Sequence, residues 1–225
     1  MNPSGFTLHQ TEDGSQTLYS SEMQESYHSL NGAVQESKHV FIEAGLKHCE
    51  KKSIQLFEIG FGTGLNALLT WGEAKRSHLD VTYTAVEAFP LPPELTSKLS
   101  YNALEPILQD SAFNQLHHSS WGSPVILEKD CFTLYKIKGD FTSMFIQSGI
   151  DLLYFDAFAP EKQPEMWEEH LFNRLYENLN QHGILVTYCA KGEVRRRLQR
   201  CGFWVERIPG PPGKREMIRA VKGML

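Results

Sequence analysis

A glycine-rich turn, Gly60-Phe-Gly62-Thr-Gly64, joins a short apolar run at residues 54–59 to an amphipathic run at residues 65–75. The first run is typical of a buried parallel strand, and the second is typical of the helix that follows it. Glycine permits a sharp backbone turn and lets another group approach the chain closely. The turn therefore predicts a nucleotide-binding α/β unit and leaves open whether the ligand is a dinucleotide or another nucleoside cofactor.

Strand and helix patterns alternate along the rest of the chain. Strands are predicted at residues 81–86, 125–128, 132–137, 152–155, 183–188, 203–208 and 216–221. Helices are predicted from the prolines at 90–93, and at residues 99–118, 165–179 and 193–200. This order predicts a Rossmann-like, doubly wound sheet whose last two strands run antiparallel. We expect an N-terminal hairpin and helical extension over residues 1–45 and one α/β domain over residues 46–225.

Composition fits one folded domain. The chain has 225 residues, of which 41% are apolar, and a mean hydropathy of −0.35. No apolar stretch is long enough for a membrane span, and residues 1–10 lack the pattern of a signal peptide. The four cysteines are far apart and form no zinc motif, so we expect no metal site. These features predict a cytoplasmic protein.

The formal net charge of −5 hides an uneven distribution. Residues 187–225 hold ten basic and three acidic residues, whereas the other 186 residues hold 12 basic and 24 acidic ones. A mildly acidic total argues against a nucleic-acid partner, but a basic C-terminal segment supports one. The alternative is that the arginines form a solvated helix face.

Acidic residues stand at the strand ends where an α/β sheet binds its ligands. Glu58 lies in the first strand, just before the glycines, and suits a cationic cofactor better than a pyrophosphate. Glu87 ends the second strand, where an acid accepts hydrogen bonds from ribose hydroxyls. Asp140 follows the third core strand and could accept from an adenine amino group. Asp130 is its rival and is predicted to lie in a hairpin turn.

Asp156 ends the fourth core strand within the segment Asp156-Ala-Phe-Ala-Pro160. A carboxylate there can accept a hydrogen bond from an amine, and the ring of Phe158 can confine the nitrogen. The alternative is an ordinary turn with a capping Asp.

These segments in this order resemble the methyltransferase half of the bacterial tRNA 5-methylaminomethyl-2-thiouridine biosynthesis enzymes, MnmC, and especially the stand-alone form, MnmD. The resemblance runs from about residue 27 to residue 217. Its segments are residues 57–66, 84–87, 139–140, 156–160, 163–167 and 213–217.

The resemblance implies a class I methyltransferase that uses S-adenosylmethionine to methylate the aminomethyl group of a tRNA wobble uridine. Carried onto this chain, the cofactor would be held by Glu58, Gly60, Gly62, Gly64, Glu87 and Asp140. Asp156 would face the substrate nitrogen as the catalytic residue. The substrate side would include Phe158, Pro160 and Trp167, with phosphate contacts from Arg195, Arg196, Lys214 and Arg215. Tyr27 and His28 are further candidates near the base, and packing is the alternative for each.

Two departures from the family stand out. The bifunctional proteins usually show Asp-Gly-Phe-Ala-Pro and Asn-Pro-Asp-Met-Trp, whereas this chain has Ala157 and Gln163-Pro-Glu165. No flavin domain is expected in a chain of this length, so the substrate is expected to arrive as the free aminomethyl form.

Two other functions remain open from the sequence. One is a small-molecule amine methyltransferase or an aminopropyltransferase of the spermidine-synthase type, although the second acid of a polyamine site is missing after Asp156. The other is a nucleotide-sensing or RNA-binding module without catalysis, against which the intact strand-end acids argue.

Overall fold

The computed structural model describes residues 5–101 and 103–223, and its centre is an eight-stranded sheet. In sheet order the strands are β6 (Pro124–Glu128), β7 (Phe132–Lys138), β5 (Asp80–Glu87), β4 (Ser53–Ile59), β8 (Ile150–Phe155), β9 (Leu179–Thr187), β11 (Glu216–Lys222) and β10 (Phe203–Pro209). The five strands from β7 to β9 run parallel, and β6, β10 and β11 run antiparallel to their neighbours. The predicted Rossmann-like, doubly wound sheet and its antiparallel last pair are confirmed.

The order of the strands places the ligand site. The chain starts the sheet at β4, builds outward through β5 to β7, and then returns to place β8 and β9 on the other side of β4. The connections on the two sides of β4 therefore leave in opposite directions, which opens a crevice at the carboxyl ends of β4 and β8. The predicted acids Glu87, Asp140 and Asp156 lie at this edge, whereas Asp130 precedes β7 and does not.

Both faces of the sheet are covered by apolar cores. Every residue of β8 is buried, and its side chains alternate between the faces. Tyr154 packs into one core together with the long helix α2 (Leu65–Ser77), and Phe155 packs into the other. The second core contains the apolar faces of α5 (Glu169–Asn178) and α6 (Gly192–Arg200).

A second, three-stranded antiparallel sheet is formed by β1 (Phe6–Gln10), β2 (Gln16–Ser20) and β3 (Glu25–Ser26). It leads into α1 (Ala33–Ser37), a π-helical segment at Lys38–Glu43 and a 3-10 turn at Leu46–His48. Phe41 of the π-helical segment lies against Tyr154, with ring centroids 4.8 Å apart. The extension thus packs on the same core as the large sheet, and the division at residue 45 stays a prediction.

The predicted helix over residues 99–118 is largely wrong. Only α4 (Ala112–His118) forms in that stretch, and α3 (Pro93–Thr96) precedes it; residue 102 lies outside the described part of the chain. Pro106 interrupts the stretch, because proline cannot donate the helical hydrogen bond. The predicted helix over residues 165–179 also divides, into a 3-10 turn at Pro164–Trp167 and α5.

Within residues 5–101 and 103–223, no helix has the length and apolar character needed to cross a membrane. No group of three or more His, Cys, Asp or Glu side chains in these residues is arranged to hold a metal ion.

Candidate active site

A cavity of about 560 Å³ opens at the carboxyl ends of the central strands. Its floor is the glycine turn and the ends of β5, β7 and β8, and its opposite wall comes from the N-terminal sheet and α1. The volume is in the range of small-molecule and cofactor sites. Among the predicted site residues, the cavity is lined by Gly60, Gly62, Glu87, Asp140, Asp156, Phe158 and Lys214.

The glycine turn is shaped by contacts within the protein. Gly60 has a φ of +90°, and a Cβ there would lie 2.8 Å from the carbonyl oxygen of Asp156. Gly62 has a φ of +50°, and a Cβ there would lie 3.1 Å from the ring of Tyr27. The absence of side chains therefore allows the turn to fit between β8 and the N-terminal wall.

Glu58 lies behind the cavity wall and has no exposed surface. Its Oε1 accepts a hydrogen bond from the Asn66 amide at 3.0 Å, and its Oε2 has no partner among the described residues. Burial raises the pKa of Glu58 well above the usual value for a carboxyl group. Asn66, which lines the cavity, therefore stands between Glu58 and any ligand. Gly64 also lies outside the lining and occupies the N-cap position of α2.

Glu87 supports the glycine turn from the end of β5. Its Oε2 accepts from the backbone N–H of Gly62 at 3.0 Å, and its Oε1 accepts from that of Phe89 at 2.9 Å. Each oxygen keeps a lone pair that a ribose hydroxyl could use. The predicted position of Glu87 at the strand end is confirmed, and its contact with a ribose stays a prediction.

Asp140 follows β7, and its side chain is exposed at the cavity. Its Oδ1 accepts from both the backbone N–H and the hydroxyl of Thr142, at 2.8 and 2.7 Å. Asp130, the rival residue, lies in the turn between β6 and β7 with a φ of 56° and does not line the cavity. Asp140 therefore lies at the cavity and Asp130 does not, and the contact of Asp140 with an adenine stays a prediction.

Asp156 lies directly after β8, with its carboxylate beneath the cavity. Its Oδ2 accepts from Asn66 Nδ2 at 2.8 Å. Burial, together with the negative charge of Glu36, raises the pKa of Asp156 to about 7, although the Asn66 hydrogen bond and the Lys214 charge act in the opposite direction. A carboxyl group with this pKa exchanges protons near neutral pH, as a general base must.

Aromatic rings narrow the cavity above Asp156. The rings of Tyr27 and Phe158 meet edge to face, with centroids 5.1 Å apart. Trp167, predicted to contact substrate, is 1% exposed and packs in the second core. Its indole N–H donates to the carbonyl of Phe158 at 2.8 Å, so the tryptophan positions the Phe158 loop from behind. Pro160, in the same loop, lies outside the lining.

Lys214, predicted to bind phosphate, points into the cavity. Its ammonium lies 2.5 Å from the Glu36 carboxylate and 4.0 Å from the ring centroid of Tyr188. The other predicted phosphate contacts, Arg195, Arg196 and Arg215, lie outside the cavity lining. The cation of Arg196 pairs with Glu193 at 2.7 Å.

Sequence reasoning assigned no role to several residues that build the cavity. Asn66 follows the glycine motif as the second residue of α2. Its closeness to the glycines in the sequence could have marked it as a residue of the cavity. Glu25 and Glu36 come from the N-terminal segment, whose pattern was ambiguous, and no local signal marked them. Glu25 accepts from the backbone N–H of Ala159 at 3.1 Å and so ties β3 to the Phe158 loop. His28 lies between Thr17 and Thr63, and burial lowers its pKa to about 4.

Comparisons with known proteins agree with this geometry. A family described as S-adenosyl-L-methionine-dependent methyltransferase matches residues 125–223. The chain is 32% identical over 211 residues to the tRNA 5-methylaminomethyl-2-thiouridine biosynthesis bifunctional protein MnmC of Idiomarina loihiensis, covering 85% of this chain and 34% of that protein. It is 32% identical to the MnmC of Magnetococcus marinus, covering 92% and 32%. The chain thus spans about a third of the length of these relatives.

Solved structures show the same relationship. The crystal structure of MNMC2 from Aquifex aeolicus superimposes with a TM-score of 0.77 at 25% identity, covering 97% of this chain and 71% of that one. Spermidine synthase from Thermotoga maritima shares the fold, with a TM-score of 0.58 at 11% identity and coverage of 98% and 70%. The chain therefore uses S-adenosylmethionine, and it belongs to the methyltransferase family that includes the methyltransferase domain of the MnmC proteins.

Proposed function

We propose that this chain transfers a methyl group from S-adenosylmethionine to a primary aminomethyl nitrogen on the wobble uridine of tRNA. The product would be 5-methylaminomethyl-(2-thio)uridine, formed from the 5-aminomethyl base. The coarser activity, a methyltransferase of a family named for tRNA modification, is supported by the MnmC relatives. A tRNA substrate would also place the enzyme in the cytoplasm.

The observation that carries this proposal is Asp156. Its carboxylate lies at the end of β8, in a cavity that is also lined by the carboxyl groups of Glu25, Glu36 and Glu87. An acid-lined cavity favours a positively charged or hydrogen-bond-donating ligand and disfavours a phosphate. Both an amine and a sulfonium meet that requirement.

The residues present fit the cofactor. Glu87 offers free lone pairs for ribose hydroxyls, and Asp140 offers its exposed carboxylate to an adenine amino group. The side-chain oxygen of Asn66 is buried and has no partner within the described residues, so it can accept from an amino group. When bound, S-adenosylmethionine supplies a methyl group that is activated by the adjacent sulfonium.

Asp156 would prepare the substrate amine. A primary amine in water is mostly an ammonium and has no lone pair to offer. The Asp156 carboxylate takes one proton from it, forming an O–H bond as the N–H bond breaks, and accepts a hydrogen bond from a remaining N–H. The lone pair is then free and its direction is fixed, so that positioning supplies much of the rate.

The tRNA backbone would be bound outside the acidic cavity. Arg195 and Arg215 carry positive charge on the C-terminal segment and take part in no ion pair within the described chain. Lysine and arginine contacts to phosphates supply most of the non-specific affinity for nucleic acids. We propose these two arginines as part of the RNA contact.

One experiment tests the function. The protein is incubated with methyl-labelled S-adenosylmethionine and with tRNA that carries 5-aminomethyluridine, and the digested nucleosides are identified by mass spectrometry. We expect label in 5-methylaminomethyluridine and none when the tRNA carries unmodified uridine. If the protein binds the cofactor but transfers no label to either tRNA, the proposal is contradicted.

A polyamine is the second acceptor to include. The acid-lined cavity would also attract a polyamine, and the likeness to spermidine synthase extends to the fold alone. Transfer of a methyl or aminopropyl group to putrescine or spermidine, with none to tRNA, would favour this second function.

A further inference from the structure

The Lys214 side chain is 33% exposed, and it lines the cavity. Lys214 lies in the turn between β10 and β11, within the basic segment of residues 187–225, where it would be expected to face a polyanion. Its ammonium instead contacts Glu36 at 2.5 Å and lies over the ring of Tyr188. All three residues line the same cavity as Asp156.

Both groups that contact the Lys214 ammonium are held in place by further hydrogen bonds. The second oxygen of Glu36 accepts from the backbone N–H of Ser29 at 2.8 Å, and the Glu36 side chain is 10% exposed. The hydroxyl of Tyr188 donates to the carbonyl of Ala157, next to Asp156, at 2.9 Å. The cation of Lys214 is therefore held by an anion on one side and by an aromatic face on the other.

We propose that Glu36 and Lys214 are a charge-balanced pair of positioning residues that sets the protonation state of Asp156 and of the substrate amine beside it. This inference rests on the proposed amine methylation and deepens it. Neither residue is placed in contact with the reacting atoms. The role also removes Lys214 from the set of phosphate contacts.

The two charges act on Asp156 in opposite directions. Glu36 makes ionisation of Asp156 harder, and Lys214 makes it easier. The other groups that face Asp156 are Asn66, which donates to it, and the carboxyl and phenol groups of Glu58, Tyr83 and Tyr188. Glu36 and Lys214 are the pair among these with opposite formal charges.

A balance between the two charges suits the reaction. With Glu36 alone, Asp156 would stay protonated at neutral pH and could not accept a proton. With Lys214 alone, the carboxylate would be too weak a base to take a proton from an ammonium. Because Lys214 offsets the charge of Glu36, the cavity stabilises a bound ammonium less than its acids alone would, so the amine loses its proton more easily and reaches the form that reacts.

The test compares Glu36→Gln, Lys214→Met and the double variant by the pH dependence of kcat/KM for methylation of aminomethyluridine tRNA. We expect the acidic limb to move to lower pH in Glu36→Gln and to higher pH in Lys214→Met, each by about half a pH unit or more. The double variant, which removes both charges, should return close to the wild-type limb. Lys214→Arg keeps the cation and should keep the limb.

Lys47→Met is the matched control. Its ammonium pairs with Glu43 at 2.7 Å on an exposed part of the molecule, outside the cavity. We expect no shift of the limb in this variant. A purely structural role for the Glu36–Lys214 pair would lower the rate in both single variants without moving their limbs in opposite directions, and that result would overturn the proposal.

Two further measurements separate this inference from the proposed function. Carbon-13 NMR titration of the Asp156 carboxyl reports the same opposite shifts without any substrate, so it decides the matter even if the tRNA reaction is absent. The salt dependence of tRNA affinity decides the other role of Lys214. If Lys214→Met reduces the salt slope and leaves the titration of Asp156 unchanged, Lys214 is a phosphate contact and the inference is wrong.

Discussion

The side-chain amide of Asn66 donates to the carboxylate of Asp156 at 2.8 Å, joining the first turn of α2 to the end of β8. The same nitrogen donates to Glu58 at 3.0 Å, so one amide bridges two carboxyl groups. An Asn66→Ala substitution removes both hydrogen bonds. Because the bond to Asn66 lowers the pKa of Asp156, we expect the acidic limb of kcat/KM to move to higher pH. The rate near pH 7 should fall by about tenfold or more, as expected for a lost hydrogen bond to a charged group.

A matched control lies at the start of β8, the strand that Asp156 follows. Asn180 donates to Asp151 at 2.6 Å, near the start of β8 and away from the cavity. Asn180→Ala should reduce the free energy of unfolding and leave the pH profile in place. If Asn66→Ala and Asn180→Ala behave alike, the bridge between Asn66 and Asp156 has no part in the chemistry.

Replacement of Asp156 should separate cofactor binding from turnover. In Asp156→Asn we expect the cofactor Kd, measured by calorimetry, to change by no more than a few-fold, because Asp156 is assigned to the amine. Turnover should fall by about 10²- to 10⁴-fold, the usual contribution of a general base. In the wild type, kcat/KM should rise as the pH passes through about 7. Full turnover in Asp156→Asn would contradict the assignment.

The raised pKa of Asp156 also affects stability. A carboxyl group whose pKa is higher in the folded state binds its proton more tightly there, so its contribution is fully present at low pH. That contribution is lost as the pH rises from about 4 to about 7. Asp156→Asn should therefore raise Tm relative to the wild type at pH 8, with a smaller difference at pH 4.5. Thermal melts at both values test the sign.

Gly60 should tolerate no side chain. A Cβ at this position would lie 2.8 Å from the carbonyl oxygen of Asp156, and the φ of +90° is unfavourable for any other residue. We expect Gly60→Ala to lower the free energy of unfolding by about 1–3 kcal/mol, measured by urea denaturation. Gly139→Ala is the control, since nothing lies within 4 Å of its added Cβ. Equal losses in the two variants would argue against the close approach.

Arg215 is exposed, and no ion pair within the described chain involves it, so its charge is available to an RNA phosphate. Arg215→Gln should weaken tRNA binding and reduce the slope of log affinity against log salt by about 1. Arg200 is already paired with Glu169 at 2.6 Å, and Arg200→Gln should change the slope less. Filter binding at several salt concentrations measures both. An unchanged slope in Arg215→Gln would remove this arginine from the RNA contact.

Asp151 should make the fold sensitive to acid. Burial would raise its pKa, but the backbone N–H of Gln55 and the side chains of Lys51 and Asn180 lower it overall. A lowered pKa gives stability that is present above the unfolded value and is lost as the pH falls through the folded one. Asp151→Asn should therefore cost about 1–3 kcal/mol at pH 7. The difference should shrink in acid titrations of unfolding as the pH falls through the lowered pKa of Asp151. A constant difference would contradict this account.

The sheet could be predicted because its strands carry their signal locally. Residues 54–59 and 152–155 are short apolar runs that end at glycine or aspartate, and each became a buried parallel strand. A helix was wrongly predicted for residues 99–111, because Leu99, Tyr101 and Leu108 are apolar and buried without forming one. Burial selects apolar residues whatever the local backbone, so composition alone could not identify the irregular segment.

The candidate site could be predicted only in part, for a related reason. Glu87 ends a strand, Asp140 and Asp156 follow strands, and parallel strands bring their carboxyl ends to one edge of the sheet. Trp167 stands in a recognisable motif, yet its ring lies in the core, because a motif does not record which way a side chain points. The pairing of Glu36 with Lys214 depends on how the N-terminal wall meets the last hairpin, and no local pattern encodes that meeting.

The contact between Glu36 and Lys214 spans 178 positions of the chain. During synthesis from the N-terminus, the wall that carries Glu36 emerges first, whereas the turn that carries Lys214 emerges 178 positions later. A nascent chain can thus form the glycine turn and the acids of the cavity before their charge balance is complete. Methyl transfer competence would then be acquired only when β11 pairs with β9, which ties activity to completion of the sheet.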